Sequence, residues 1–247
     1  MTCLPYSASA VQLRAALKRR ASPAKAKTLA AFFKIGPGQY AQGDQFLGIT
    51  VPTQRVVARS FSALPLKDIA VLLQSPVHEE RLTALIILVG KFERAQGADR
   101  ERIAVFYLKN LKRVNNWDLV DLTAPQILGA YLYGQGRQGI DVLMRLARSK
   151  NLWERRAAMV ATFYFIRRKS AREAFMVARI LFKDEHDLIH KAVGWMLRET
   201  GKHVSRDILE KFLHRHYKNM PRTALRYAIE HFPQARRQAY LLGQVRH

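Results

Sequence analysis

The stretch NLWERRAAMVATFYFIRRK, residues 151–169, decides the fold. Residues 157–166 are apolar on every side of a helical projection, and charge is confined to the two ends. A helix that is apolar all round is buried among other helices. Outward from it, ERLTAL (80–85), ERRAAM (154–159) and HKAVGW (190–195) share one plan at helix starts: a basic residue, then small residues, then apolar ones. Small side chains let neighbouring helices approach closely. Amphipathic periodicity and good helix formers predict helices at roughly 8–20, 23–34, 53–63, 66–74, 77–93, 99–111, 116–134, 138–149, 151–168, 171–182, 187–201, 204–217, 222–231 and 234–243. No run of alternating β-branched residues predicts a strand. Helix pairs of about 35–40 residues suit stacked two-helix repeats of the HEAT or armadillo type. The predicted fold is therefore all-α, a helical-repeat solenoid forming one domain over 1–247, with a concave basic face. The stretch IGPGQYAQGDQFLGITVP (35–52) interrupts the pattern with four glycines and two prolines. It predicts a long structured loop, a kind that is often functional inside a compact domain.

Composition narrows the function. Of the 247 residues 49% are apolar and 25% charged, enough for a real core and against wholesale disorder. The single cysteine, Cys3, excludes an intramolecular disulfide framework and a Cys-rich zinc site. The longest apolar runs, Leu82 to Gly90 and Ala157 to Ile166, fall short of the roughly 20 residues a bilayer span needs. MTCLPYSASAVQLRAALKRR, at the N-terminus, has no apolar region before a small-residue cleavage site, so a reducing cytoplasmic compartment is expected. Against 42 Lys and Arg stand 19 Asp and Glu, a net charge of +23. Folding does not require such an excess, since self-repulsion opposes compactness. It points to a polyanion, nucleic acid first, with anionic membrane surfaces and ribosomal RNA as rivals. The cations are spread along the chain rather than gathered in a tail, which implies a folded basic surface.

Three places could carry chemistry. In NNWDLVDLTAPQILG (115–129), Asn115 or Asn116 can cap a helix whose first turn holds Asp118. The apolar stripe runs through Val120, Ala124, Ile127, Leu128 and Tyr131. Trp117 and Asp121, four apart, share a face at its edge. Pro125 cannot donate to the Asp121 carbonyl, so the helix should kink or loosen there. The arrangement reads as an active site, or as a core Trp beside a hydrogen-bonded surface Asp. In 151–169, Arg155 and Arg156 sit in the first turns, where cations oppose the helix dipole. Either an anion such as phosphate occupies that end, or a carboxylate pairs with them. In DLIHKAVGWMLRETGKH (187–203), Ile189, Val193, Met196 and Leu197 form the apolar face, while Trp195 lies with Lys191 and Arg198 on the other. Such an aromatic suits a base, a sugar or a cationic group, unless a neighbouring helix covers it. Trp117, Arg156 and Trp195 stand 39 residues apart, although matching Ala157-Ala158 to Ala192-Val193 gives an offset of 35 instead. Eight histidines occur, and none shows a convincing metal-ligand spacing; His214 and His216 are two apart and face differently.

NNWDLVD, WERRAA and KAVGWMLRE, in this order and spacing, resemble the AlkD-like DNA alkylation repair family, DNA glycosylases built from HEAT-like repeats. GQYAQGDQFLGITVP and MPRTALRYAIEHFP add to the resemblance, which covers roughly 25–233. It implies excision of N3- and N7-alkylated purines from duplex DNA without flipping the base into a pocket. It also implies that Trp117 and Trp195 are active-site tryptophans, that Asp121 is the catalytic carboxylate and that Arg156 is the active-site arginine. Phe32 stands where an active member has a DNA-facing Tyr, and Thr50 where it has Gln. Lys191, Arg198, Arg155, Arg222 and Arg226 complete the expected DNA contacts. An alkylpurine that already carries positive charge leaves without a general acid, so the barrier lies in cationic character developing on the sugar. A fixed carboxylate and indole faces stabilise that charge, and an arginine can hold the neighbouring phosphate. No metal or organic cofactor is expected, and the chain is expected to act as a monomer on double-stranded DNA containing alkylated bases. The alternative on the same fold is a non-catalytic binder of distorted or branched DNA. A basic helical scaffold for RNA or protein is a third reading.

Overall fold

The computed structural model describes residues 8–245; Cys3, and with it the start of the N-terminal stretch, lies outside them. Two compact units form, Met1–Thr123 and Ala124–His247. Among the described residues there is no strand, and the one isolated bridge joins Gln45 to Val77.

The first unit holds α1 (Ala10–Lys18), α2 (Pro23–Phe32), α3 (Val51–Ser60), α4 (Leu66–Leu73), α5 (His78–Arg94), α6 (Gly97–Lys109), a 3₁₀ turn (Leu111–Arg113) and α7 (Trp117–Thr123). α5 is its centre and packs against α1, α3, α4, α6 and α7. Local chemistry sets the starts. Ser9 and Gln12 make a reciprocal capping box on α1, and prolines occupy the first turns of α2 and α3. The loop read at 35–52 ends at Thr50, because Val51 and Pro52 already belong to α3. Its ordering comes from α5. The Glu79 carboxylate accepts the backbone N–H groups of Leu47, Gly48 and Ile49 at 2.8–3.2 Å. Gln54 donates to the Ile49 carbonyl at 2.9 Å. Gly48 has φ +80°, and a Cβ there would sit 2.1 Å from the Ser22 carbonyl oxygen. No other residue fits both constraints.

The second unit opens with a π-helix (Ala124–Gly129), followed by α8 (Ala130–Tyr133), α9 (Gly136–Ala147), α10 (Leu152–Arg167), α11 (Arg172–Leu181), α12 (Asp187–His203), α13 (Arg206–His216), a 3₁₀ turn (Tyr217–Asn219), α14 (Arg222–Ala228) and α15 (Gln234–Leu242). The π-helix is the loosening that Pro125 demands, and it breaks the helix expected over 116–134 into three parts. α10 packs on α12 and α12 on α14, while α11 lies against α9, α10 and α12, and α13 against α12. Residues 157–162 of α10 are buried throughout, as the uninterrupted apolar run requires. α10 starts at Leu152 and α12 at Asp187, so the repeat offset is 35 and not 39. Trp195 consequently lies about one turn farther along α12 than Arg156 does along α10.

Small residues mark the places where backbones meet. A Cβ on Gly129 would fall 2.3 Å from the Ala161 carbonyl oxygen, and one on Gly194 would fall 2.4 Å from the Tyr227 Cβ and 2.5 Å from the Ala224 carbonyl oxygen. Gly90, inside α5, is different: its nearest obstacle is the mobile end of Arg94 at 3.4 Å. Two like substitutions therefore have opposite signs. Gly90→Ala should stabilise by about 0.5–1 kcal/mol through helix propensity. Gly194→Ala should destabilise by about 1–3 kcal/mol, because the clash is with backbone. Urea unfolding of both variants checks this; equal stabilisation by both would show that α12 and α14 are not in close contact.

Candidate active site

In the first unit the site is built on α7. Trp117 and Asp121, one turn apart, are both half-buried, while Leu119, Val120 and Thr123 between and beyond them are buried. This is the edge-of-stripe placement that the spacing predicts. Trp117 belongs to an aromatic array. It stacks on Phe33 at 5.4 Å between centroids, Phe33 stacks on Phe46 at 5.2 Å, and Phe32 meets the indole edge-on at 6.0 Å. Phe32 is 62% exposed, a degree of exposure that a core residue would not have. Thr50, also exposed, caps the start of α3 in position only; its hydroxyl bonds Thr53 at 3.0 Å.

Beneath the indole lies a buried polar chain that the sequence did not announce. Arg81 donates from Nη2 to Asp44 Oδ1 at 2.7 Å and from Nη1 to the Ser75 carbonyl at 2.8 Å. Asn116 donates to the other Asp44 oxygen at 3.2 Å, and its own side-chain oxygen accepts the backbone N–H of Trp117 at 2.8 Å. His78 Nε2 bonds Asp118 Oδ2 at 2.8 Å. Nδ1 of His78 lies 3.6 Å from Asp44, an ion pair without a hydrogen bond. The imidazole also packs against Phe33 and Phe46 at 4.8 and 5.0 Å. Asp44, Asn116 and His78 thus fix the loop, α5 and the start of α7 to one another, and the indole rests on the result. Burial favours the neutral imidazole, but the Asp118 bond and the Asp44 carboxylate outweigh it and push the His78 pKa up to about 9. Asp44 is held below the usual carboxylate range: burial opposes this, and His78 and Arg81 overcome it. Behind Asp121, Tyr107 donates or accepts across 2.8 Å to Thr123, and burial, with the Asp121 charge adding, raises the Tyr107 pKa.

In the second unit Trp195 is half-buried on α12, beside Phe163 of α10 at 6.3 Å, while Ile189, Val193, Met196 and Leu197 are fully buried. Lys191 shares the Trp195 face and pairs with Asp187 at 2.7 Å. Arg156 is buried, and its Nη1 donates to the Leu188 carbonyl in the first turn of α12. Two of the expected DNA-contacting arginines are engaged within the fold. For Arg155, the carboxylate alternative is realised. Asp184 accepts its Nε at 2.5 Å, its Nη1 donates to the carbonyls of Ser149 and Lys150 at 3.0 Å, and the Asn151 side chain already caps the Trp153 and Glu154 N–H groups. Arg198 is held between Glu199 and Glu230, and its Nε is buried without a partner. Both arginines fasten the fold. Arg222 donates to the Leu241 carbonyl, and it and Arg226 are exposed.

The His78 chain has a measurable signature. The folded pKa of about 9 lies above the ordinary 6.5, so its stabilisation is complete below about pH 6.5 and is lost as the pH rises through 9. Unfolding free energy should fall over that window by up to about 3 kcal/mol. In His78→Asn, less stable at pH 6, the same window should be nearly flat. A flat wild-type profile would mean that no imidazolium is buried there.

The comparisons accord with this architecture. A family model described as DNA alkylation repair enzyme matches residues 13–232. A solved structure, "Predicted DNA alkylation repair enzyme from Enterococcus faecalis", superposes with a TM-score of 0.67 at 17% identity, covering 87% of this chain and 98% of that one. That likeness concerns the fold. Comparison with curated proteins gives no match. No described helix is long and apolar enough to cross a membrane.

Proposed function

The chain belongs to the family of DNA alkylation repair enzymes, and on that premise we propose that it is a DNA glycosylase that hydrolyses the N-glycosidic bond of N3- and N7-alkylated purines in duplex DNA, without flipping the base. The observation that carries the reading is the pairing of Trp117 and Asp121 on one face of α7, both open to solvent in part, with the exposed Phe32 ring beside the indole. A core aromatic with a stray carboxylate would not leave Phe32 uncovered.

In this reading the C1′–N bond breaks with its electrons going to the base, which is cationic before cleavage and leaves neutral. Positive charge then grows on the sugar. The Asp121 carboxylate stabilises it and orients the attacking water, and the Trp117 and Trp195 faces favour the same charge. Arg156 supplies positive charge for the phosphate beside the lesion. Lys191, Arg222 and Arg226 contact the DNA backbone, and Phe32 and Thr50 lie against the nucleotides. The protein acts as a single domain and a monomer, in the cytoplasm and on the nucleoid. Arg155 and Arg198, which also hold Asp184 and Glu230, complete the contact set.

Two measurements test this. Base release from duplexes containing N7-methylguanine and N3-methyladenine should occur with the wild type. It should fall by about 10²–10³ in Asp121→Asn, the scale of one lost electrostatic stabiliser, while DNA affinity persists or rises slightly. Equal rates would make Asp121 structural. A wild type that binds tightly and releases nothing would favour the binder of distorted or branched DNA. Separately, affinity for duplex DNA should fall by about 10³ between roughly 50 and 200 mM salt if about six phosphates are neutralised. A flat dependence would exclude a phosphate-dominated interface.

A further inference from the structure

A second surface of the second unit is built differently from the one that carries Trp195. α11 and α13 leave between them a groove of about 490 Å³. Its floor is Phe175 and Phe212, stacked face to face with centroids 4.1 Å apart and rings 6° from parallel. Ile208, 42% exposed, extends the apolar surface towards solvent. Four cations form the rim, Arg172 and Arg179 on α11 and Lys211 and Arg215 on α13, and no carboxylate lines the groove. All four cations are exposed, and none has an ion pair among the described residues. Of the nearby carboxylates, the exposed Asp207, one turn before Lys211 on α13, faces a neighbouring pocket rather than this groove, and two others serve other partners. Glu173 accepts from Ser170, and Glu210 pairs with Arg236 at 2.5 Å. At one end, burial and then the charges of Arg179 and Arg215 keep His216 below its ordinary pKa. The groove shares no lining residue with Arg156, Lys191, Trp195 or Arg226.

Two features must be explained together: an apolar floor open in part at Phe175 and Ile208, with Phe212 itself buried, and a rim of one sign. Duplex DNA would answer the rim but not the floor, because its outer surface offers phosphate and sugar and no apolar group to fill the space over Phe175. A neutral apolar ligand would answer the floor and leave four cations crowded without counter-charge. A segment that carries carboxylates on either side of a bulky apolar side chain answers both. This is the usual division of labour at an interface, with an apolar anchor at the centre for affinity and complementary charge at the rim for encounter and register.

We propose that the α11/α13 groove is a docking site for an acidic peptide segment of a partner protein, its apolar side chain seated on Phe175 and Ile208 and its carboxylates on Arg172, Arg179, Lys211 and Arg215. The site lets the protein be held by another protein while α12 and α14 remain free.

The test uses the full chain and a short fluorescent peptide of Asp and Glu residues with two Phe at its centre, titrated by anisotropy at low and at moderate salt. The same peptide with Ala for Phe, and a labelled oligothymidylate of equal charge, are the comparison probes. Expected results are saturable binding of the Phe peptide, weakening by about tenfold on Phe→Ala in the peptide, the scale of a lost anchor. Arg179→Glu/Arg215→Glu, reversed on opposite rims, should also weaken it by about tenfold or more. Arg148→Glu, a reversal away from the groove, should leave it unchanged, with circular dichroism spectra of both variants matching the wild type. Equal binding of the Phe and Ala peptides would reduce the groove to bulk charge attraction and overturn the proposal. So would oligothymidylate binding that is tighter than the Phe peptide's and lost in Arg179→Glu/Arg215→Glu, since that would make the groove a nucleic-acid site. An unchanged affinity in that double variant would overturn it too.

Discussion

Carboxylates are scarce in this chain, and the fold buries five of them. Only 19 Asp and Glu face 42 Lys and Arg, yet Asp44, Glu79, Glu80, Glu173 and Glu199 are buried. Four of these carboxylates hold backbone N–H groups or a cation, and Glu173 accepts from the Ser170 hydroxyl. Glu79 organises three successive N–H groups of the loop, Glu80 takes Arg14, Asp44 takes Arg81 and Asn116, and Glu199 takes Arg198. Breaking such a pair by removing one partner costs about 3–5 kcal/mol, because the other is left buried and uncompensated. The consequence at the surface is equally direct. Acid used for structure is not available to neutralise exposed cations, so the exterior is more basic than the net charge alone conveys. The same allocation that orders the interior leaves a surface suited to a polyanion.

Within the first unit this constraint links loop, helix start and indole. Asp44 comes from the glycine-rich loop, His78 and Arg81 from α5, and Asn116 and Asp118 from the beginning of α7. Asp44, His78, Arg81 and Asn116 are buried, and Asp118 is half-buried with its carboxylate held by His78. They are positioning residues: they determine where Trp117 stands, and through the one-turn spacing of α7 they determine where Asp121 stands. An indole meant to face a developing cation must be held in place; the hydrogen bonds fix the backbone at the start of α7, and the Phe33 stack holds the ring. The stacking of Phe33 and Phe46 over His78 gives the array a second, apolar support.

Much of the fold was legible because helical periodicity is a local property. The apolar run 157–166, the small residues of HKAVGW and the missing N–H of Pro125 each have a structural counterpart within a few residues of themselves: a buried α10, a close approach at Gly194 and a π-helix at Ala124–Gly129. The edge position of Trp117 followed from the same projection, which set Trp195 on the Lys191 face, where it is half-buried. The polar interior was not legible. His78, Glu79, Glu80 and Arg81 open a helix, where four polar residues in a row read as a solvated first turn. Their partners lie far off in sequence, Asp44 at a separation of 37 from Arg81 and Asp118 at 40 from His78. The partners of Arg155 and Arg198 were hidden for the same reason, with Asp184 29 and Glu230 32 residues away. A cation at a helix start can be satisfied from a neighbouring repeat, and sequence spacing within one helix carries no sign of it.

Pro125 illustrates how a single local rule reaches function. It removes the donor that would close a regular turn onto the Asp121 carbonyl, and the chain responds by widening to a π-helix directly after α7. A regular α-helix through 116–134 would have kept the 3.6-residue register, with Trp117, Asp121 and Ala124 following one another along one face. The wider turn ends that register at Thr123, so the face bearing Trp117 and Asp121 belongs to α7 alone. The buried Ile127, Leu128 and Gly129 then follow the register of the second unit, where Gly129 meets the α10 backbone at Ala161. The irregularity therefore separates two demands that one straight helix could not meet: a partly open carboxylate beside an indole, and a fully apolar contact with α10 a few residues later.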